Sequence, residues 1–286
     1  MKVKVTCFWK EEKDLLNLLS KYAFGETRWK DMELVTTDDF DVLVILTRPH
    51  PKLKNYDSKK AITILTEPPV SKNVRAHATS AILPMYLPLP FWEEFSDKDN
   101  EFLTNEVPKS ELFSSVTSEL GGLDGHVARI QLISVLDKVI SEGFDLWGKK
   151  HTNLFFKDIN SYRGEIYNKY DALWSYQYHF ACENFFFENY FTEKIADPII
   201  AECLCFYDGC KNIEEFIDER AFIKINVNEP IIAIENMIKA IEQNEWDKRI
   251  KYIKQQKMRF LNELNPLNII WLSVSGKDVM KECKLN

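Results

Sequence analysis

Several things that a chain of 286 residues could carry are missing here. No apolar run approaches the roughly 20 residues a membrane-crossing helix needs. The N-terminus enters an alternating strand pattern at once (Val3, Val5, Cys7), so the expectation is a cytoplasmic chain without leader or transmembrane segment. There is no basic excess. The formal net charge of -7 argues against a nucleic-acid binder, whose phosphate contacts favour a positive face. Zinc spacing is incomplete as well. Cys203 and Cys205 share one strand face with Cys210 close behind, but no second ligand pair or nearby histidine joins them, so no metal site is expected. The other cysteines sit mostly in apolar strand patterns, which suits reduced, buried thiols. Internal repeats, low-complexity segments, a G-x-G-x-x-G loop and a D-x-D motif in a suitable context are absent.

What is present reads as an α/β protein. The length allows one large domain or two medium ones. Residues 2–8 alternate as a strand, and Leu15, Leu16, Leu18, Leu19 and Tyr22 recur at helical spacing up to Gly25. Asp41 to Leu46 and Ala61 to Leu65 are continuous apolar runs, as expected of strands buried on both faces of a parallel sheet. Such sheets carry their chemistry just beyond the carboxyl ends of their strands. Two loops follow there, Thr47 to Pro51 and Thr66 to Pro69. In the second, Glu67 stands before two prolines that restrict the backbone, suiting a rigid base; the bland reading is an exposed loop glutamate.

From Phe95 to Ser110 the chain is charged and aperiodic, which marks a linker with a domain boundary near residue 108. A strand at Leu112 to Thr117, the glycine cluster Gly121 to Gly125 and a helix from about 126 to 142 open a second domain. Phe144 to Gly148 reads as the next strand and turn. The organising stretch is Tyr178 to Gly209. A short strand (Phe180 to Cys182) leads through an aromatic loop, Phe185 to Phe191, into a helix that Thr192 would cap. Glu193 suits the helix dipole, whereas Lys194 opposes it. Lys194 is better explained if an anion sits at that helix start, where backbone N–H groups make a phosphate cradle. A surface lysine that tolerates its position is the alternative. Phe185 to Phe187 read as core, which is also the alternative for Tyr190. Beyond lie a helix at Asn212 to Ile217, a strand at Phe222 to Ile225, helices near 230–243 and 245–263, and an apolar tail.

Glu183-Asn184 followed by Tyr190-Phe191-Thr192-Glu193-Lys194-Ile195 resembles the donor-binding signature of the glycosyltransferase family 10 fucosyltransferases. The likeness continues through Leu204 to Tyr207 and Phe222 to Ile225, and more weakly over most of the chain. There are departures. The family usually has a small polar residue where Phe185 stands and Gly-x-Ile/Val-Pro where Glu202 to Cys205 stands. The resemblance implies the GT-B fold, two Rossmann-like doubly wound domains facing a cleft. These would be residues 1–108 on the acceptor side and 109–265 on the nucleotide-sugar side, with 266–286 packing back on the first. It further implies inverting, metal-independent transfer of fucose from GDP-fucose to a glycan hydroxyl, without a cofactor. Leu65 to Pro69 resembles the segment bearing the family's proposed general base, which gives that role to Glu67. Tyr86 to Phe91 resembles the segment that closes that domain. Arg129 is the nearest match to an arginine on the donor pyrophosphate, with His126 as another possible contact. Asn184, Tyr190, Glu193 and Lys194 would line the donor. The departures leave open another donor such as UDP-xylose, or an inactive carbohydrate-binding protein on the same fold.

Overall fold

The computed structural model describes residues 1–68, 70–75, 81–82, 87–90, 107–140, 142–151 and 154–285. Pro69, Tyr86, Phe91 and the expected linker up to residue 106 lie outside them. The chain divides into two compact units, Met1–Asp99 with Arg259–Asn286, and Asn100–Met258. No helix among the described residues is long and apolar enough to cross a membrane.

The first unit is built on a six-stranded sheet of order β2-β3-β1-β4-β5-β6. Its strands are β1 (Lys2–Cys7), β2 (Arg28–Trp29), β3 (Met32–Val35), β4 (Val42–Leu46), β5 (Ala61–Ile64) and β6 (Ala81–Ile82). All pairings are parallel except the β2–β3 hairpin. That hairpin has strands too short for sequence periodicity to show. Leu43 to Leu46 are buried, as their unbroken apolar run requires. The helix Glu12–Lys21 turns Leu15 and Leu19 inward, and the Gly25 amide closes its end on the Ser20 carbonyl. Helices Pro266–Val274 and Val279–Cys283 belong to this same unit. Asn265 caps the first of them by accepting from Leu267 N (2.9 Å) and also donates to the Tyr22 carbonyl (3.0 Å).

The second unit holds β7 (Glu111–Val116), β8 (Phe144–Trp147), β9 (Tyr162–Gly164), β10 (Tyr176–Cys182), β11 (Leu204–Asp208) and β12 (Phe222–Lys224). They form a sheet of order β12-β11-β10-β7-β8-β9 with every pairing parallel. Counted from β7, this is the doubly wound order 3-2-1-4-5-6, whose crevice opens between β7 and β10 where the winding reverses. Phe113, Phe144, Tyr178 and Phe206 fill the centre of the unit, with Phe113 and Phe206 edge-to-face at 5.5 Å.

Three sequence expectations are corrected here. The helix expected from residue 126 is Asp124–Val139, so Gly125 lies in its first turn, not in a loop before it. The strand expected at Phe180 to Cys182 begins four residues earlier, because Tyr176 and Tyr178 are buried partners of β7. Asn212 to Ile217 holds only the 3-10 turn Ile213–Glu215.

One buried group makes this unit sensitive to acid. His179 is fully enclosed on β10, its Nδ1 2.8 Å from Ser114 Oγ. The Ser114 hydroxyl donates to the Ala172 carbonyl, so Nδ1 carries the proton and donates to it. Burial pushes the imidazole down to about 3, which keeps it neutral in the fold. The unfolded chain takes up a proton near pH 6.5. Stability from this group is therefore complete above that pH and falls by about 1.4 kcal/mol per unit below it, until the folded form also protonates. Urea unfolding of wild type and His179→Asn at pH 7 and pH 5 checks this. The difference in stability between the two should shrink or reverse at pH 5; a constant difference contradicts it.

Candidate functional site

Two helices begin beside residues 183–184, just past the carboxyl end of β10. Glu193–Ile200 is capped by Thr192, whose Oγ accepts from Lys194 N. Asp124–Val139 starts without a side-chain cap, leaving first-turn N–H groups for other partners. Its approach is close. A methyl at Gly125 would overlap the Glu183 carbonyl, and one at Gly209 (φ +157°) would overlap the Glu183 side chain. Glycine at both places lets three segments meet around one residue.

Glu183 is wholly buried (0 % exposed). Its carboxylate accepts from Thr192 N (2.8 Å), the Thr192 hydroxyl (2.8 Å) and the Tyr207 hydroxyl (3.2 Å). Tyr207 OH in turn accepts from Cys210 N. Burial pushes the Glu183 carboxyl up, while Lys194 and Thr192 hold it back. Lys194 Nζ lies 3.7 Å from Glu183 Oε2 and 2.9 Å from Glu193 Oε1. Lys169 continues the alternation, 4.0 Å from Glu193 and 2.8 Å from Asp197. The desolvation that would raise Glu193 is outweighed by Lys194 and Lys169, so its carboxyl sits at about 2.

Arg129 completes the group from the second turn of the helix Asp124–Val139. It is buried, and its Nη1 donates to the Cys182 carbonyl (3.3 Å) and Asn184 Oδ1 (3.4 Å). Its Nε and the Nδ1 of neighbouring His126 are buried without a partner among the described residues. Burial, and then the charge of Arg129, lower the His126 pKa, so that ring stays neutral. The formal charges of Glu183, Glu193 and Asp197 balance those of Lys169, Lys194 and Arg129. Unmade donor capacity remains at Arg129 Nε. A site with that character can receive an anion with several oxygens, such as a phosphate or diphosphate.

Arg129, Asn184, Glu193 and Lys194 are thus brought together at one end of the second sheet. Lys194 does not need an outside anion to sit at that helix start, since Glu193 and Glu183 already serve as its counter-charges. Tyr190 is 2 % exposed, so its ring belongs to the interior of the loop. Phe185 to Phe187 are half-buried instead of core, Phe185 and Phe187 being stacked at 5.1 Å. Reasoning from sequence missed Lys169, Asp197 and Tyr207. Asp197 follows Glu193 by one helical turn, and two acids on one buried face require a cation; that was the available signal. In the first unit, Glu67 is half-buried beyond β5. Ser71 Oγ donates to it, as does Asn73 Nδ2 at 3.1 Å, so the following turn orients the carboxylate and the prolines alone do not.

A model of the glycosyltransferase family 10 (fucosyltransferase) C-terminal domain matches residues 108–264. A GDP-fucose protein O-fucosyltransferase 3 of Danio rerio is 29% identical over 99 residues, which is 34% of this chain and 21% of the relative. The match thus spans about a fifth of that protein. The backbone is similar to an alpha1,3-fucosyltransferase solved with GDP (14% identity, TM-score 0.51, 92% of this chain and 89% of that one). It is also similar to the lipopolysaccharide outer core galactosyltransferase WaaB in its apo form (9% identity, TM-score 0.55, 96% and 100%). These likenesses show a GT-B-like fold.

The Glu183–Lys194 pairing can be measured. Glu183→Ala should destabilise the chain by about 3–5 kcal/mol, as removal of one partner from a buried pair does. Adding Lys194→Ala should cost less than it does alone, with a coupling of roughly 1 kcal/mol or more in a double-mutant cycle of urea unfolding. Additive effects would mean the two side chains do not sense each other.

Proposed function

We propose, starting from the fact that this chain belongs to glycosyltransferase family 10 (fucosyltransferase), that it moves fucose from GDP-fucose to a glycan hydroxyl with inversion. The observation that carries the reading lies within the matched segment. Buried Arg129 with an unmade N–H donor, the carboxamide of Asn184 and the Thr192-capped helix start with Glu193 and Lys194 stand together. That donor set suits a nucleoside diphosphate, and the name of the Danio rerio relative supports GDP-fucose over other donors.

In this mechanism the Glu67 carboxylate takes the proton of the acceptor hydroxyl. The hydroxyl oxygen bonds to the anomeric carbon as the bond from that carbon to the pyrophosphate oxygen breaks, and GDP leaves. Lys194, Arg129 and the helix N–H groups hold the charge that develops on the departing diphosphate. Glu193, ionised and flanked by Lys169 and Lys194, bonds donor hydroxyls or stabilises positive charge on the sugar ring. Ser71 and Asn73 keep Glu67 oriented as an acceptor.

The test is release of GDP from GDP-fucose and of UDP from UDP-xylose, with and without glycan acceptors, and NMR of the anomeric configuration of the product. GDP release with an inverted linkage is expected. Glu67→Gln should lower turnover by roughly two to four orders of magnitude with GDP affinity kept. Release from UDP-xylose alone would replace the donor, and unchanged turnover in Glu67→Gln would remove the base.

A further inference from the structure

Two lysines flank Glu193, and they are held in different ways. Lys194 belongs to the first turn of the helix Glu193–Ile200, where its Nζ reaches Glu193 (2.9 Å) and Glu183 (3.7 Å). Lys169 comes from another segment. Asn168 accepts from Tyr170 N (2.8 Å) and so opens the short turn Lys169–Ala172. The Ser114 hydroxyl of β7 ties the end of that turn to the sheet through the Ala172 carbonyl. From there Lys169 Nζ reaches Asp197 (2.8 Å) and Glu193 (4.0 Å). The Asp197 side chain is 0% exposed, and breaking such a buried pair is costly to either charge. Lys169 is thereby anchored one helical turn beyond the helix start.

Without a ligand, Glu193 draws on both lysines. Burial raises its carboxyl, and Lys194 and then Lys169 bring it down to about 2. Glu183, at the end of β10, opposes its ionisation, while Arg129 from the helix Asp124–Val139 favours it. Asp197, on the same helix as Glu193, shares Lys169. A diphosphate at the helix start changes this balance. It takes Lys194 and Arg129 as counter-charges and sets further negative charge near Glu193, which favours protonation. Of the three cations around Glu193, two are then committed to the ligand, and Lys169 stays on its anchor.

We infer that Lys169 is a positioning residue for sugar transfer, the counter-charge that keeps Glu193 an oriented carboxylate once a diphosphate has claimed Lys194. Protonation of Glu193 would remove its negative charge from the sugar ring and turn one of its acceptor oxygens into a donor. The diphosphate in this role comes from the transferase reading; the ion pairs stand without it. A lysine that served folding alone would affect stability and leave the titration of Glu193 untouched.

The experiment follows the Glu193 carboxyl by carbon NMR in the full chain labelled at glutamate, with and without saturating GDP. The signal is assigned by its loss in Glu193→Gln. Wild type, Lys169→Arg and the paired variant Lys169→Met with Asp197→Asn are compared. The second change removes the carboxylate that the first would leave buried without this cation, and melting temperatures confirm folding at each pH. Buried His179 also senses Lys169, so the signal must be specific to Glu193. An opposite charge a few ångströms away moves a carboxyl by about one to three pH units. The paired variant should therefore raise the Glu193 midpoint by at least about one pH unit, and by more with GDP bound. Lys169→Arg should restore the wild-type midpoint. In turnover of GDP-fucose, the acid limb of kcat should move up with the midpoint, while GDP affinity at pH 7 stays within about threefold. An unmoved midpoint and acid limb, or GDP affinity lost by more than about tenfold with the limb unmoved, overturns the inference. Wild type that neither binds GDP nor releases it from GDP-fucose removes the transferase reading and the transfer role together. Wild type that does both, with midpoint and limb unmoved in the paired variant, loses only this role of Lys169.

Discussion

A carboxylate taken fully out of water is tolerated only where donors and a counter-charge surround it, and Glu183 is one place where this chain meets that condition. Everything nearby follows from it. The backbone and hydroxyl of Thr192 turn toward it, which starts the helix Glu193–Ile200 at that point. Tyr207 reaches across from β11, and Gly125 and Gly209 are free of side chains because their neighbours' atoms already fill that space. Lys194 is held beside it. A helix start that would otherwise repel a lysine is thereby made to hold one.

The consequence is a site that is electrically balanced yet rich in donors. Lys169, Glu193, Lys194 and Glu183 alternate in sign, so neither unpaired anions nor unpaired cations need to be stabilised before a ligand arrives. Arg129 keeps an unmade N–H, and two helix starts adjoin the same pair of residues. In the proposed reaction an incoming diphosphate would meet the Arg129 donor and a lysine held between two carboxylates, and the cluster would return to balance when the diphosphate leaves.

Much of this was legible in the residues themselves, and the limits have a physical pattern. The parallel strands announced themselves by unbroken apolar runs, and Thr192 by being a capping residue ahead of an acid; both signals are local. Glu67 is marked out by the resemblance of Leu65 to Pro69, since its place after a strand also suits an exposed loop glutamate. Lys169 and Tyr207, by contrast, reach Asp197 and Glu183 across 28 and 24 residues of chain, and no periodicity encodes such pairings. Gly125 belongs to a glycine cluster that reads as a turn before the helix; in the structure its lack of a side chain is what the helix start requires.

The central claim is that the second unit grips a diphosphate through Arg129, Lys194 and the helix start held by Glu183. Calorimetric titration of the whole protein with GDP and with GMP tests it most directly, because the two ligands differ only in the second phosphate. A charge-assisted hydrogen bond is worth roughly 1.5–3 kcal/mol, so GDP should bind at least about tenfold more tightly than GMP. Equal affinities, or no binding of either, would contradict the account.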